Sequence, residues 1–105
     1  MQPSPDQLND VVSRIVDAVH PLRIILFGSA ARGEMTTDSD VDIAIVVPED
    51  TDRRRIATTV YPCLVGVGIA VDIVVTTPDL LEKYRSAPGM VYQDIRRDGK
   101  ELYAA

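Results

Sequence analysis

The sequence predicts an α+β fold, a small mixed β-sheet with helices packed on it. The chain has 105 residues, of which 46% are apolar and 26% charged, and this composition is typical of one compact domain. Short β-branched runs are separated by segments with helical periodicity, and glycines and prolines bound most of these segments. We therefore expect a single domain over residues 1–105.

The first segment is predicted to be an amphipathic helix. Ser4 followed by Pro5 is a typical helix start, and Pro21 ends the pattern. Between them, apolar residues recur at helical spacing: Leu8, Val11, Val12, Ile15, Val16 and Val19.

The same signals predict three further helices. The first is capped by Asp50 or Thr51 and is kinked or ended by Pro62. The second is capped by Thr77 before Pro78, and the third runs from Pro88 to Gly99.

The strands are predicted from short runs rich in β-branched residues. These runs are 22–27, 41–47 and 70–75, and the end of the chain permits a last short strand over 101–103. The second and third runs each contain an aspartate directly after a valine, which is unusual because an unpaired buried charge is costly.

Charge and hydropathy argue against several classes of function. The formal net charge is -5, so we expect no nucleic acid partner. The basic run 53–55 is interpreted as a solvated helix face with no catalytic role. The longest apolar or glycine run, 63–71, is far shorter than the ~20 residues that cross a bilayer, so we expect no membrane partner. With no secretory signal and Cys63 as the only cysteine, a cytoplasmic protein is expected.

Asp40 and Asp42 are the first candidate site residues. Side chains two positions apart on a strand share a face, which leaves Val41, Ile43 and Ile45 on the core face and predicts that the other face carries the chemistry. A hard cation such as Mg²⁺ between the two carboxylates would offset their repulsion. The alternative is that both acids lie at the solvated start of an edge strand.

Asp72 is a third acid inside a predicted strand. It extends the cluster if its strand lies beside the strand of Asp42. The alternative is again a solvent-facing acid at a strand edge.

Gly28 and Ser29 follow directly after the first predicted strand. A glycine there lets the backbone approach a ligand, and a short helix opened by Ser29 would present free amides to a phosphate. The alternative is a plain turn with Ser29 as a helix cap. Arg32 is placed to pair with a phosphate oxygen or, equally, with Glu34 or Asp38.

The joint pattern is more specific than its parts. By chance, on the order of one in a thousand chains of this length would contain this spacing, in which ten residues separate Gly28-Ser29 from Asp40 and one residue separates Asp40 from Asp42. A phosphate cradle and a metal-binding acid pair are what a nucleoside triphosphate requires.

The GS-x10-DxD pattern resembles the minimal nucleotidyltransferases of the DNA polymerase beta superfamily. The segments ARG and SD within it, and the tail YRSAPGMVYQDIRRDGKELY, strengthen the likeness. The resemblance implies a palm-like fold, with Asp40, Asp42 and Asp72 as catalytic residues holding two Mg²⁺ ions. It also implies that Gly28, Ser29 and Arg32 hold the phosphates of ATP.

Short stand-alone members of this family resemble antitoxins that transfer AMP to a tyrosine of a co-encoded HEPN-domain ribonuclease toxin. We therefore expect a protein acceptor and this type of partner. Two alternatives stay open: a module that masks its partner by contact alone, and transfer to a small molecule such as an aminoglycoside. Four tyrosines are interpreted as packing residues: Tyr61, Tyr84, Tyr92 and Tyr103.

Overall fold

The computed structural model describes residues 2–35, 40–85 and 87–105. The helices and strands follow one another along the chain in the order α1 (Pro5–Val19), β1 (Arg23–Phe27), α2 (Gly28–Arg32), β2 (Val41–Val46), α3 (Arg53–Cys63), β3 (Val71–Thr76), α4 (Pro78–Tyr84), α5 (Val91–Asp98) and β4 (Lys100–Ala104). The predicted α+β class is confirmed, including the last strand.

The four strands form one mixed sheet in the order β3-β2-β1-β4. β1 pairs antiparallel with both β2 and β4, whereas β2 and β3 are parallel. The parallel pair needs a long crossover, and α3 supplies it. This topology puts β2, with its aspartate, in the interior of the sheet and β3 at an edge.

Both faces of the sheet carry a hydrophobic cluster. The larger one combines odd-numbered β2 residues with α1 and α3, and its fully buried members include Val11, Ile15, Val41, Ile43, Ile45 and Val60. On the opposite face, Ala44 and Val46 of β2 pack with Ile25, Phe27, Tyr92 and Ile95. Because apolar side chains cover both sides, the position of β2 is strongly fixed.

The start of α1 follows the sequence prediction in detail. Ser4 Oγ accepts a hydrogen bond from the backbone N–H of Gln7, and the Gln7 side chain accepts one from the backbone N–H of Ser4. This capping box satisfies two amides that the first helical turn leaves without partners.

Two predicted helix starts were wrong. Asp52, instead of Asp50 or Thr51, caps α3, since its side chain accepts a hydrogen bond from Arg55 N. The last helix begins at Val91 instead of Pro88, because Gly89, with φ +74°, turns the chain before it. The residue at which a helix begins depends on the local path of the backbone, and the position of a nearby proline alone does not define that path.

The remaining boundary signals were confirmed. Thr77 Oγ1 accepts from Leu80 N at the start of α4, and α5 ends before Gly99. Pro62 lies inside the last turn of α3, which ends one residue later. Within the described part of the chain, no helix is both long and apolar enough to cross a membrane.

The interior of β2 provides a test of this packing. Ile45 is 0% exposed, so Ile45→Ala is expected to lower the free energy of unfolding by about 2–5 kcal/mol through lost contacts and a residual cavity. Val65 is 78% exposed, and Val65→Ala is expected to change it by about 0.5 kcal/mol or less. Urea unfolding of both variants measures the difference, and equal losses would contradict the assignment of the core.

Candidate active site

Asp42 and Asp72 lie side by side on neighbouring strands. In the parallel pairing of β2 with β3, their Cα atoms are direct register partners. Neighbouring strands are about 4.8 Å apart, and register partners project from the same face of the sheet. The expected adjacency of the second and third strands is therefore confirmed.

Asp40 lies directly before β2, where it is exposed. Its charge acts on Asp42, which shows that the two carboxylates belong to one electrostatic cluster. A fourth acid that the sequence reasoning missed, Asp94 of α5, acts on Asp42 as well. The sequence held no signal for it, because Asp94 comes near Asp42 only through the packing of α5 on the Asp42 face of the sheet.

The prediction that one face of β2 is core and the other carries the chemistry was only partly correct. Beyond Asp42, the same face continues with Ala44 and Val46, which are buried against Tyr92 and Ile95 of α5. The chemistry is confined to one end of this face, because α5 covers the rest.

The Gly28 turn brings β1 and α2 against Asp42. Gly28 has φ +71°, a conformation that favours glycine, and a Cβ atom at this position would collide with Oδ2 of Asp42. Phe27 is the register partner of Asp42 across β1 and β2. The close approach of the turn to the carboxylate explains why a glycine is required here.

Ser29 is the second residue of the short helix α2 and is partly buried. The N-cap of α2 is Phe27, which makes no side-chain capping hydrogen bond. The alternative reading of Ser29 as a helix cap is therefore wrong. Gly28 and Ser29 lie at the N-terminal end of α2, where Gly28 approaches the Asp42 carboxylate.

Arg32 forms ion pairs at the other end of α2. Its Nη1 donates to Asp98 Oδ2 at 2.7 Å, and its Nε lies 3.4 Å from Glu34 Oε2. These carboxylates raise the pKa of Arg32, with Asp98 the main cause. Glu34 was one of the predicted partners, Asp98 was not, and Asp38 lies outside the described residues.

Tyr61 was wrongly interpreted as a packing residue. It is 45% exposed, and its hydroxyl donates to Asp72 Oδ1 at 3.3 Å while accepting from Ile73 N at 3.1 Å. The sequence held one signal: Tyr61 falls beside the apolar stripe of α3 formed by Ile56 and Val60, instead of on it.

The other tyrosines do pack. Tyr92 is buried with its hydroxyl 3.0 Å from Thr76 Oγ1, and its ring lies 5.5 Å from that of Tyr84. Tyr103 packs against the larger hydrophobic cluster.

The electrostatics of the site are dominated by negative charge. Partial burial raises the pKa of Asp42 above its ordinary value, and the charges of Asp72, Asp40 and Asp94 raise it further. The positive charge of Arg32 lowers the pKa of Asp42, but its effect is smaller than those of burial and of the three carboxylates. A positively charged ligand would therefore be bound favourably at Asp42.

The carboxylates suit Mg²⁺ as donors. This ion takes oxygen ligands, typically one or two carboxylates together with substrate phosphates, so a complete protein cage is not needed. Across residues 2–35, 40–85 and 87–105, no group of three or more His, Cys, Asp or Glu side chains is gathered closely enough to form such a cage. Asp42 and Asp72 fit the more open arrangement.

A cavity of about 320 Å³ lies elsewhere, between β1, β4, α4 and α5. Its floor includes Ile25 and Ile95, and its rim carries Arg23, Arg85 and Arg96. It contains none of the three candidate aspartates, so we do not assign it to this site.

The raised pKa of Asp42 predicts a pH effect on stability. The folded protein holds this proton more tightly than the unfolded chain, so Asp42 lowers stability as pH rises from 3.8 through the folded pKa. Asn carries no charge, so the stability of Asp42→Asn relative to wild type is expected to be greater at pH 7 than at pH 3.

Urea unfolding at both pH values, with a chelator present, measures this difference. Asp17→Asn, on the exposed side of α1, is the matched control. An Asp42→Asn variant whose stability parallels that of wild type across the whole range would contradict the prediction.

Gly28 and Gly33 provide a matched pair for the close approach to Asp42. Both have a positive φ, +71° and +73°, so alanine is strained at either position. At Gly33 no atom of the described residues lies within 4 Å of the added Cβ, whereas at Gly28 it would displace the Asp42 carboxylate. We expect Mg-ATP to stabilise Gly33→Ala but not Gly28→Ala.

Thermal unfolding with and without Mg-ATP measures this effect. A ligand at 100 times its Kd adds about 2.7 kcal/mol. If the two variants gain equal stability from Mg-ATP, the turn does not position Asp42 for the ligand.

Comparisons with known proteins agree with this geometry. The model of the nucleotidyltransferase domain family matches residues 6–102. A protein of Methanocaldococcus jannaschii named "Putative protein adenylyltransferase MJ0604" is 32% identical over 81 residues, which is 77% of each chain.

Solved structures share the fold. One described as a "putative nucleotidyltransferase from Sulfolobus solfataricus" has a TM-score of 0.64 at 22% identity, over 94% of this chain and 78% of the other. A toxin-antitoxin structure with AMP-PNP has a TM-score of 0.62 at 27% identity, over 93% and 73%.

A third structure is the toxin-antitoxin MntA-HpeT carrying two aspartate-to-glutamate substitutions two positions apart. It has a TM-score of 0.60 at 25% identity, over 93% of this chain and 73% of the other. Because the family model spans nearly the whole chain and the M. jannaschii relative is 32% identical, the chain belongs to the nucleotidyltransferase domain family and is a nucleotidyltransferase enzyme.

Proposed function

We propose that this enzyme transfers AMP from ATP to a tyrosine hydroxyl of a protein acceptor, and that the acceptor is a co-encoded HEPN-domain ribonuclease toxin which it neutralises. The observation that carries the proposal is the register pairing of Asp42 with Asp72 beside the Gly28 turn. It brings the Gly28 turn and the paired carboxylates to one end of the sheet.

The relatives support the type of acceptor. One is named as a protein adenylyltransferase, and two structural neighbours are toxin-antitoxin proteins, of which one contains an ATP analogue. The substituted aspartates of the third neighbour have the same spacing as Asp40 and Asp42. A substitution pair at this spacing is what a test of paired metal-binding acids would use.

On the phosphate side, the cradle is formed by the backbone at Gly28 and by Ser29. Because Gly28 has no Cβ, its backbone lies directly against the Asp42 carboxylate, and a phosphate held at this turn would lie next to Asp42. The Ser29 hydroxyl and the first amides of α2 would donate to its oxygens and hold the β- and γ-phosphates as the leaving group.

On the acceptor side, Asp72 would accept the proton of the attacking hydroxyl. The hydroxyl oxygen forms a bond to the α-phosphorus, and the bond from that phosphorus to the bridging oxygen of the β-phosphate breaks. The products are an adenylylated tyrosine and pyrophosphate. The transfer needs no further reactant, because the proton passes to Asp72 and pyrophosphate is the leaving group.

Mg²⁺ is the cofactor that we propose, as two ions held by Asp40, Asp42 and Asp72. It would neutralise the charge of the triphosphate and of the carboxylates. The residues of the chain bind and orient the two reactants.

The exposure of the site favours a large acceptor. Asp40 and Asp72 are both exposed, and Asp72 lies on an edge strand. A hydroxyl on the surface of another protein can therefore reach the carboxylate. Small-molecule recognition usually uses an enclosed pocket, whereas two of the three candidate carboxylates are exposed.

The decisive experiment is mass spectrometry of the co-encoded protein after incubation with this enzyme, Mg²⁺ and a mixture of nucleotides. We expect one or more AMP groups on a tyrosine of that protein. Asp42→Asn is expected to lower labelling by about a hundredfold or more, because it removes a carboxylate from the reacting site. Asp17→Asn is the matched control and is expected to label normally.

The same experiment separates the alternatives. If the partner is neutralised without being labelled, and Asp42→Asn neutralises it equally well, the protein acts by contact alone. If the partner stays unlabelled while an aminoglycoside in a substrate screen gains a nucleotide, the acceptor is a small molecule. Labelling with a base other than adenine would overturn the choice of ATP.

A further inference from the structure

We propose that Tyr61 is a positioning residue, whose hydroxyl holds the Asp72 carboxylate in the orientation that nucleotidyl transfer requires. This inference rests on the proposed role of Asp72 in that reaction. It assigns a role to a tyrosine that neither the motif nor the resemblance singled out.

The first support is the pair of hydrogen bonds made by one hydroxyl. Tyr61 Oη accepts from the backbone N–H of Ile73 at 3.1 Å, so its own proton is available for Asp72 Oδ1, 3.3 Å away. The amide fixes the oxygen, and the oxygen then fixes the carboxylate. Among the hydrogen bonds of the described residues, Asp72 uses only Oδ1, so Oδ2 is left for a ligand.

The second support is the place of β3 in the sheet. β3 is an edge strand, paired on one side with β2, so it lacks the second neighbouring strand that would hold its side chains in place. Asp72 is exposed there and could rotate among its staggered rotamers. Tyr61 reaches the open edge from α3, which packs on the opposite face of the sheet from Asp72.

The third support is the way the end of α3 is held. Arg14 of α1 donates from Nη1 to the carbonyl oxygens of Cys63 and Val65, at 3.1 and 2.8 Å. Asp10 accepts from Arg14 Nε at 2.9 Å and orients the guanidinium. The turn that carries Tyr61 is thereby tied to the core helix α1.

Tyr61→Phe removes the hydroxyl and keeps the ring. In the metal-free protein, the three-bond couplings about χ1 of Asp72 report whether its side chain is fixed. We expect one rotamer in the wild type and averaging in Tyr61→Phe. Tyr103→Phe is the matched control, because β4 lies at the other edge of the sheet, and it is expected to leave these couplings unchanged.

The second measurement is the steady-state rate with Mg-ATP and the protein acceptor. For Tyr61→Phe we expect kcat to fall about tenfold, the effect of one hydrogen bond to a charged group, and KM for ATP to change by less than about twofold. Tyr103→Phe is expected to keep the wild-type kcat. Thermal unfolding of each variant checks that the fold is retained.

Unchanged couplings in Tyr61→Phe would overturn the inference. So would averaged couplings with a wild-type kcat, because the orientation of Asp72 would then not matter for transfer. A wild-type enzyme that labels no acceptor contradicts the proposed function instead, and the couplings of the metal-free protein distinguish the two failures.

Discussion

The parallel pairing of β2 with β3 is the interaction on which the site depends. It sets Asp42 and Asp72 at matched positions on neighbouring strands, where their charges repel. A shift of one residue in this register would move Asp72 to the other face, among the side chains of α1 and α3. The register is thus what brings the two carboxylates together.

The cost of this charge cluster is offset by the rest of the sheet. Both faces of β2 are packed with apolar side chains, so the strand cannot rotate to expose its acids further. The Gly28 turn lies directly against the Asp42 carboxylate on one side, because glycine has no Cβ that would collide with it. A site that is unfavourable without its ligand persists where the surrounding structure fixes it.

The sequence predicts the fold class and the strands well, because each rests on a local signal. A short run rich in β-branched residues indicates a strand, and an aspartate inside such a run is conspicuous. The helix starts at Asp52 and Val91 were missed because a cap is selected by the backbone path. Adjacent strands also had to be assumed, since pairing joins residues thirty positions apart in the chain, such as Asp42 and Asp72.

The contacts that support the site were the hardest to predict. Tyr61 meets Asp72 only because α3 folds back along β3, and no spacing in the chain encodes that contact. The charge of Asp94 acts on Asp42 because α5 covers the face of β2 that carries Asp42. The sequence prediction had assigned that whole face to the chemistry. In both cases the missing information is tertiary, carried by the crossing of a helix over a strand.

Arg32 shows how such a contact changes the interpretation of a motif residue. Read along the chain, it follows the Gly-Ser turn and is a candidate for phosphate binding. In the fold, its partner Asp98 is only 6% exposed at the side chain and is shared with Arg97. Hydrogen bonding from Arg97, with a further contribution from Arg32, lowers the pKa of Asp98, so this carboxylate stays charged and retains both guanidinium groups.

The Arg32 pair therefore joins α2 to α5. α2 begins with the Gly28 turn, and α5 packs on the face of the sheet that carries Asp42. Holding these two helices together fixes the phosphate cradle relative to the carboxylates, which a direct bond from Arg32 to phosphate would not do. A guanidinium has five N–H donors, so Arg32 can keep its hydrogen bond of 2.7 Å to Asp98 while another N–H contacts a phosphate. The ion pair thus contributes to the frame that places Gly28 and Ser29, and phosphate binding by Arg32 stays a prediction.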